Sequence, residues 1–231
     1  MAKVVIASNE FEISFLTKKL KCEKQKPILD FSIYRSARPG KDVFVLRSSP
    51  GIANAAAATA LAIEHYRPEH IFNVGVCGVC SSDKNLLTRV IAGSMAIFAD
   101  AGVETEDEFL PMQSVDLHLA KLKNGTKVFN IIKLNDEAVS KKIPRGVFLT
   151  VSASSGSEQR SDKMKNRFKI NQGKLICEDM ESAAIGLIAL KASIPCTVLR
   201  GISNLCGNRD YKAWKLSEAA EAAQKELLKC L

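Results

Sequence analysis

The chain has 231 residues, 46% hydrophobic and 25% charged, with a formal net charge of +8; this fits one large α/β domain, 1–231, or two small ones, with a core large enough to need no disulfide or metal staple. Seven cysteines, an odd number, and a start ("MAKVVIASNEFEI") with charge where an apolar leader would be needed point to a reduced, cytoplasmic protein. No stretch approaches the roughly 18–20 apolar residues of a membrane span, and the lysine-rich "TKKLKCEKQK" and "DKMKNRFK" read as solvated helix faces, without the interleaved aromatics of a nucleic-acid platform.

In chain order, short β-branched runs predict strands at "KVVIA", "DVFVLRS", "HIFNVGV", "RVIAGSMAIF", "KVFNIIK", "GVFLTV" and "CTVLRGIS". Helical patterns fall at "EFEISFLTKKL", "ANAAAATALAIEHYR", "MESAAIGLIALKAS" and "WKLSEAAEAAQKELLKCL". Near-continuous apolar strands alternating with helices predict a three-layer α/β/α domain around a mixed, mostly parallel sheet. In such sheets a ligand lies beyond the carboxyl ends of the strands, so the residues there are the candidates.

The first strand ends in "SNEFE", where Asn9 and Glu12 have the spacing of a capping box. A carboxylate has two oxygens, so Glu12 can cap and also act as a general base at the mouth of the sheet. The turn in "RSSPGIANAAAAT" leaves backbone amides at a helix start, where an anion or a water can be cradled. In "NVGVCGVC", Gly75 and Gly78 permit close approach of a ligand or of another backbone, and in the first case Cys77 and Gly78 lie beside the ligand. Cys77 and Cys80 form a lone C-x-x-C; with no second pair and three histidines in the chain, they read as small thiols filling a tight turn and not as a zinc or redox centre. "ICEDMESAAIGLIAL" sets Glu178, Asp179 and Glu181 at a strand-to-helix turn before a helix that reads as buried. A carboxylate held against such a helix needs a partner, and a pair of sugar hydroxyls would serve.

Together these stretches resemble the purine nucleosidase and phosphorylase superfamily: "DMESAA" its ribose motif, "LRGISN" its base-binding strand end, and "IEHYRPEHIFNVGVCG" its central helix, strand and glycine turn. Within it, "FADAGVETEDEF", "VSASSGS" and "RGISNLCGNRDYKAW" most resemble the futalosine hydrolase family, nucleosidases of menaquinone biosynthesis. The resemblance implies release of hypoxanthine from futalosine by water, with no cofactor or metal, in a homo-oligomer of two or more subunits. The chain departs from the pattern at Ser49, where relatives usually carry glycine, and at Thr88-Arg89, where a Gly-Asp pair is common.

The implied roles follow the chemistry. Breaking an N-glycosidic bond develops positive charge on the sugar and negative charge on the base. Glu12 would orient and deprotonate the water, Glu181 would accept hydrogen bonds from the ribose hydroxyls, and Met180 would pack on the sugar face. Asn204 offers an NH2 donor and a carbonyl acceptor, which match O6 and the protonated N7 of a 6-oxopurine at once, whereas the amino group of adenine would suit an aspartate better. The resemblance also puts Ser155 and Gly156 at the base pocket. Trp214 is expected to pack a terminal helix, while Arg209 is open to a substrate carboxylate or to Asp210. The competing readings are a methylthioadenosine/adenosylhomocysteine-type nucleosidase, a phosphorylase, and a nucleoside-binding protein without chemistry. A phosphorylase needs cations for its phosphate, and "SSPGIANA" has none after Arg47, which favours water.

Overall fold

The computed structural model describes residues 2–38, 40, 42–168, 170 and 173–231. The N-terminal strands are β1 (Lys3–Ala7), β2 (Cys22–Lys24), β3 (Ser32–Ser36), β4 (Val43–Arg47), β5 (His70–Val79) and β6 (Val90–Phe98). Two small hairpins follow, β7 (Gly102–Glu104) with β8 (Phe109–Pro111) and β9 (Ala120–Lys121) with β10 (Lys127–Val128). The rest of the sheet is β11 (Ile131–Lys133), β12 (Arg145–Thr150), β13 (Leu175–Asp179) and β14 (Cys196–Leu205). The helices are α1 (Ser14–Lys19), α2 (Ile52–Tyr66), α3 (Glu158–Asn166), α4 (Ser182–Lys191) and α5 (Leu216–Leu228).

Ten strands form one mixed sheet in the order β11-β6-β12-β13-β5-β1-β4-β3-β2, with β14 bonded to both β5 and β6. Pairing is parallel through β4-β1-β5-β14 and through β13-β12-β6. It is antiparallel at the edges and where these two runs meet, at β13-β5 and β14-β6. The strands β5, β13, β12, β6 and β14 therefore close on themselves into a ring, and the carboxyl ends of β5, β13 and β14 converge. Helices α1 and α5 cover one face, and α2 and α4 the other, as the alternating pattern predicts.

Small residues set how closely these layers approach. A Cβ on Gly201 would come within 2.0 Å of the Ala219 carbonyl oxygen, so β14 lies directly against α5. Helix α4 is buried from Ser182 to Leu187 and again at Ala189, and burial of Ile185 alone contributes roughly 1.5–3 kcal/mol. Helix α2 starts after Gly51, whose φ of 102° suits glycine alone, and stops at Arg67, left-handed at φ 44° just before Pro68.

Both departures from the family's glycine pattern fall on left-handed backbone: Ser49 has φ 65° and Thr88 φ 66°. A branched or polar side chain there carries a steric cost that glycine does not. Thr88 is held by its bond to the Ile202 carbonyl at 2.8 Å, which ties this loop to β14.

Three local expectations are corrected. "KVFNIIK" is broken into β10 and β11 by a buried Asn130, whose amide satisfies the carbonyls of Phe98 and Ala101. Only the front of "TKKLKCEKQK" is helical, since Cys22–Lys24 pairs with β3. "NVGVCGVC" continues as strand through Val79, because β14 and β13 both pair with it there.

Candidate active site

A cavity of about 330 Å³ opens at the converging strand ends. Its wall includes Glu12, Cys77, Gly78, Ser155, Met180, Glu181 and Asn204, so seven of the eight candidate residues come together. The eighth, Gly156, is exposed and stands one residue outside the lining, because the chain turns away at Ser155.

Glu12 is buried, and hydrogen bonds from Ser8, Asn9 and Val76 fix its carboxylate. Oε2 accepts from the Ser8 hydroxyl at 2.6 Å, from the Asn9 amide at 2.8 Å and from the Ser8 amide at 3.2 Å. Oε1 accepts from the Val76 amide at 2.9 Å. The capping bonds thus fall on Oε2, while Oε1 is held by Val76 in a side chain that lines the cavity. The turn that carries Glu12 is anchored from behind by the buried Gln224 of α5, which donates to the Phe11 carbonyl at 3.0 Å and accepts from the Leu16 amide at 3.0 Å.

Beside Glu12 lies the residue that the sequence reading missed. Arg200 is fully buried in β14. Its Nη2 donates to Asn73 Oδ1 at 2.7 Å, pairs with Asp179 at 3.1 Å and Glu181 at 3.2 Å, and reaches the Ser182 hydroxyl at 3.2 Å. Gly75 makes room for this arrangement: a Cβ there would lie 2.3 Å from Arg200 Nη1 and 2.4 Å from Glu12 Oε1. Burial works against the Arg200 charge, but Asp179, Glu181 and Glu12 more than offset it and hold its pKa above the ordinary value. The signal in the sequence was an arginine inside an otherwise apolar strand run, "TVLRGIS", with Asn73 as its counterpart in "IFNVGV".

Glu181 also accepts from the Gly51 amide at 3.0 Å, so that amide is engaged and not free to cradle an anion, as the turn had suggested. Burial pushes the Glu181 pKa up to about 7; Arg200 pulls it down, while Asp179 and Glu12 push it further up. Glu178 accepts from both the amide and the hydroxyl of Ser155, each at 2.6 Å, which fixes the "SASSGS" loop against the cavity.

Asn204 sits at an irregularity in the β14–β5 register. Its Nδ2 donates to the Leu205 carbonyl at 3.1 Å and its Oδ1 accepts from the Ser203 hydroxyl at 2.8 Å. Because a carbonyl only accepts, the Leu205 bond fixes which end of the amide is nitrogen. One N–H and one lone pair remain for a ligand. Gly78 leaves space here, since a Cβ on it would stand 3.1 Å from Asn204 Nδ2.

Trp214, expected to pack a helix, instead lines the cavity, with its indole N–H on the Asn208 carbonyl at 3.1 Å. Arg209 also lines it, lying over the Tyr211 and Trp214 rings and bonded to the Tyr211 hydroxyl. Asp210 does not pair with Arg209 but caps the Lys212 amide at 3.1 Å. Four carboxylate residues, Glu12, Glu178, Asp179 and Glu181, line the cavity, against the single lining cation Arg209 among the described residues. No group of three His, Cys, Asp or Glu side chains able to hold a metal occurs among the described residues.

The chain is 23% identical over its full length to the 5′-methylthioadenosine/S-adenosylhomocysteine nucleosidase of Bacillus subtilis, covering 98% of that protein. In fold it is similar to the Helicobacter pylori 5′-methylthioadenosine/S-adenosylhomocysteine nucleosidase with butyl-thio-DADMe-Immucillin-A, at a TM-score of 0.81 and 17% identity over 100% of this chain and 97% of that one. It is equally similar to a futalosine hydrolase structure from Helicobacter pylori, at a TM-score of 0.81 and 17% identity over 100% and 98% of the two chains. The phosphorylase superfamily model matches residues 3–231, and the chain belongs to that superfamily.

Proposed function

We propose that this protein is a nucleoside hydrolase that cleaves the N-glycosidic bond of a 6-oxopurine nucleoside of the futalosine type. The observation that carries the reading is that Glu12, Glu181 and Asn204 line one cavity, two carboxylates together with a carboxamide of fixed orientation. Glu12, locked by Ser8, Asn9 and Val76, holds the attacking water and takes its proton. Glu181 accepts from the ribose hydroxyls and lends negative charge to the developing sugar cation. Met180 packs on the sugar. The free N–H of Asn204 bonds to O6 of the base, and its free lone pair accepts from N7–H once the departing base is protonated there.

Water is favoured over phosphate as nucleophile because a phosphate dianion would face four carboxylate side chains, while the charge of Arg200 is already shared between Asp179 and Glu181. Arg209, stacked at the rim, is the cation available to a carboxylate carried by the substrate. A second reading, hydrolysis of methylthioadenosine or adenosylhomocysteine, draws on the names of the relatives. The test is incubation with futalosine, inosine and methylthioadenosine, with and without phosphate, identifying the released base by chromatography. Hypoxanthine from futalosine without phosphate is the expected result. Adenine released preferentially from methylthioadenosine would replace it with the second reading, and an absolute need for phosphate would overturn hydrolysis.

A further inference from the structure

The C-x-x-C stretch has a partner that its spacing did not suggest. Cys80 faces not Cys77 but Cys206, with the two sulfurs sharing a hydrogen bond at 3.5 Å. They lie one residue beyond the registered pair Val79 and Leu205 on the neighbouring parallel strands β5 and β14, where the Cys206 amide bonds the Val79 carbonyl at 2.9 Å. Adjacent strands run about 4.8 Å apart, inside the Cα separations that a disulfide bridges. The other thiol neighbours, Cys77 and Cys177, are both buried. Cys80 and Cys206 instead line a second cavity of about 480 Å³, with Lys165 and Ser161 on its wall. Among the described residues, Cys206 alone lines both this cavity and the candidate active site.

We infer that Cys80 and Cys206 form a thiol-modification site that a low-molecular-mass disulfide oxidises to an intrachain disulfide, altering the base end of the substrate pocket. The hydrogen bond shared with Cys206 is the largest influence lowering the Cys80 pKa; burial and Glu178 oppose it, while Ser161 and Lys165 assist. Cys206 is pushed the other way, first by the same hydrogen bond and then by burial. Cys80 is thus the attacking thiolate. It displaces one thiolate from the small disulfide and leaves a mixed disulfide on Cys80. Capping removes the neighbouring negative charge that holds the proton on Cys206. That proton then goes to solvent, and the Cys206 sulfur attacks the Cys80 sulfur and expels the second small thiolate. Two protein thiols lose two protons and two electrons, and the small disulfide takes up both to become two thiols.

The consequence for the pocket follows from position. Cys206 is two residues past Asn204, and its sulfur lies 2.9 Å from where a Gly78 Cβ would be, beside the Asn204 amide. Closing the bond brings the sulfurs from 3.5 Å to about 2.05 Å and draws this wall toward the second cavity. The pocket consequence for turnover rests on the function proposed above; the chemistry does not.

The experiment treats the folded protein with glutathione disulfide and follows two readouts. Peptide mass spectrometry is expected to find the 80–206 crosslink with loss of two hydrogens. The fluorescence of Trp214, the one tryptophan of the chain, which lines the pocket, is expected to change on oxidation and return with reductant. Cys80→Ser, which lies outside the site cavity, is expected to give neither response. If the nucleosidase reading also holds, oxidation lowers turnover at least five-fold in the native protein and leaves Cys80→Ser unchanged. Absence of the 80–206 crosslink, or an identical fluorescence response in Cys80→Ser, overturns the inference, whatever the substrate proves to be.

Discussion

Replacing Arg200 with methionine removes the single positive charge from a buried cluster that keeps Asp179, Glu181 and Glu12 nearby. Leaving buried carboxylates without their partner costs about 3–5 kcal/mol, a large part of the roughly 5–15 kcal/mol that holds a domain folded. The cost depends on pH, with a sign fixed by Glu181. Its folded pKa, about 7, lies above its ordinary 4.5. The folded protein therefore binds this proton more tightly than the unfolded chain, and stability falls as pH rises between those values, by roughly 3 kcal/mol in all. Without Arg200 the proton is held more tightly still, so the deficit of Arg200→Met is larger at pH 8 than at pH 6. Urea unfolding of both proteins across that range measures it. Glu181→Gln, which removes the titration, should flatten the wild-type slope. A deficit below about 1 kcal/mol, or one that does not vary with pH, would refute the charge accounting.

Four further outcomes are expected. Glu12→Gln keeps most of the hydrogen bonds around the carboxyl group and should bind hypoxanthine normally while kcat falls about 10²–10⁴-fold, read by calorimetry and steady-state kinetics; near-normal turnover excludes it as the base. The kcat/KM profile should rise with pH through about 7, as Glu181 ionises to accept from the sugar, and this limb should disappear in Glu181→Gln. Gly75→Ala places a methyl 2.3 Å from Arg200 Nη1 and 2.4 Å from Glu12 Oε1, so it should cost about 1–3 kcal/mol of stability and at least ten-fold in turnover. Thr88→Gly relieves a left-handed threonine and should raise stability by about 1 kcal/mol, net of the chain entropy that glycine adds, as thermal unfolding would register.

The layered architecture was legible because β-branched runs and alanine-rich periodic runs alternate, and the strand-end rule then led to Glu12, Glu181 and Asn204. What escaped the sequence were contacts between segments far apart in the chain. Strands β2 and β3 carry mixed, charged residues, since β2 is an edge exposed to water, so they lack the apolar signature. Arg200 was hidden in a run read for its hydrophobicity, and its role depends on Asp179, Glu181 and Asn73 arriving from other elements. Cys80 was read against Cys77, its neighbour in sequence, whereas it lies just past the end of β5 and meets Cys206 just past the end of the neighbouring strand β14. Trp214 was assigned to packing because nothing local shows that the loop after β14 folds back over the cavity.

The most direct test uses two nucleosides that share one sugar and differ only at the six position of the base, oxo in one and amino in the other, compared by kcat/KM without phosphate. Asn204, with its amide orientation fixed by the Leu205 carbonyl, predicts that the oxo form is preferred by about 100-fold or more, and that Asn204→Asp narrows or reverses the ratio. Equal rates for the two bases, or a preference for the amino form in the native protein, would contradict the account.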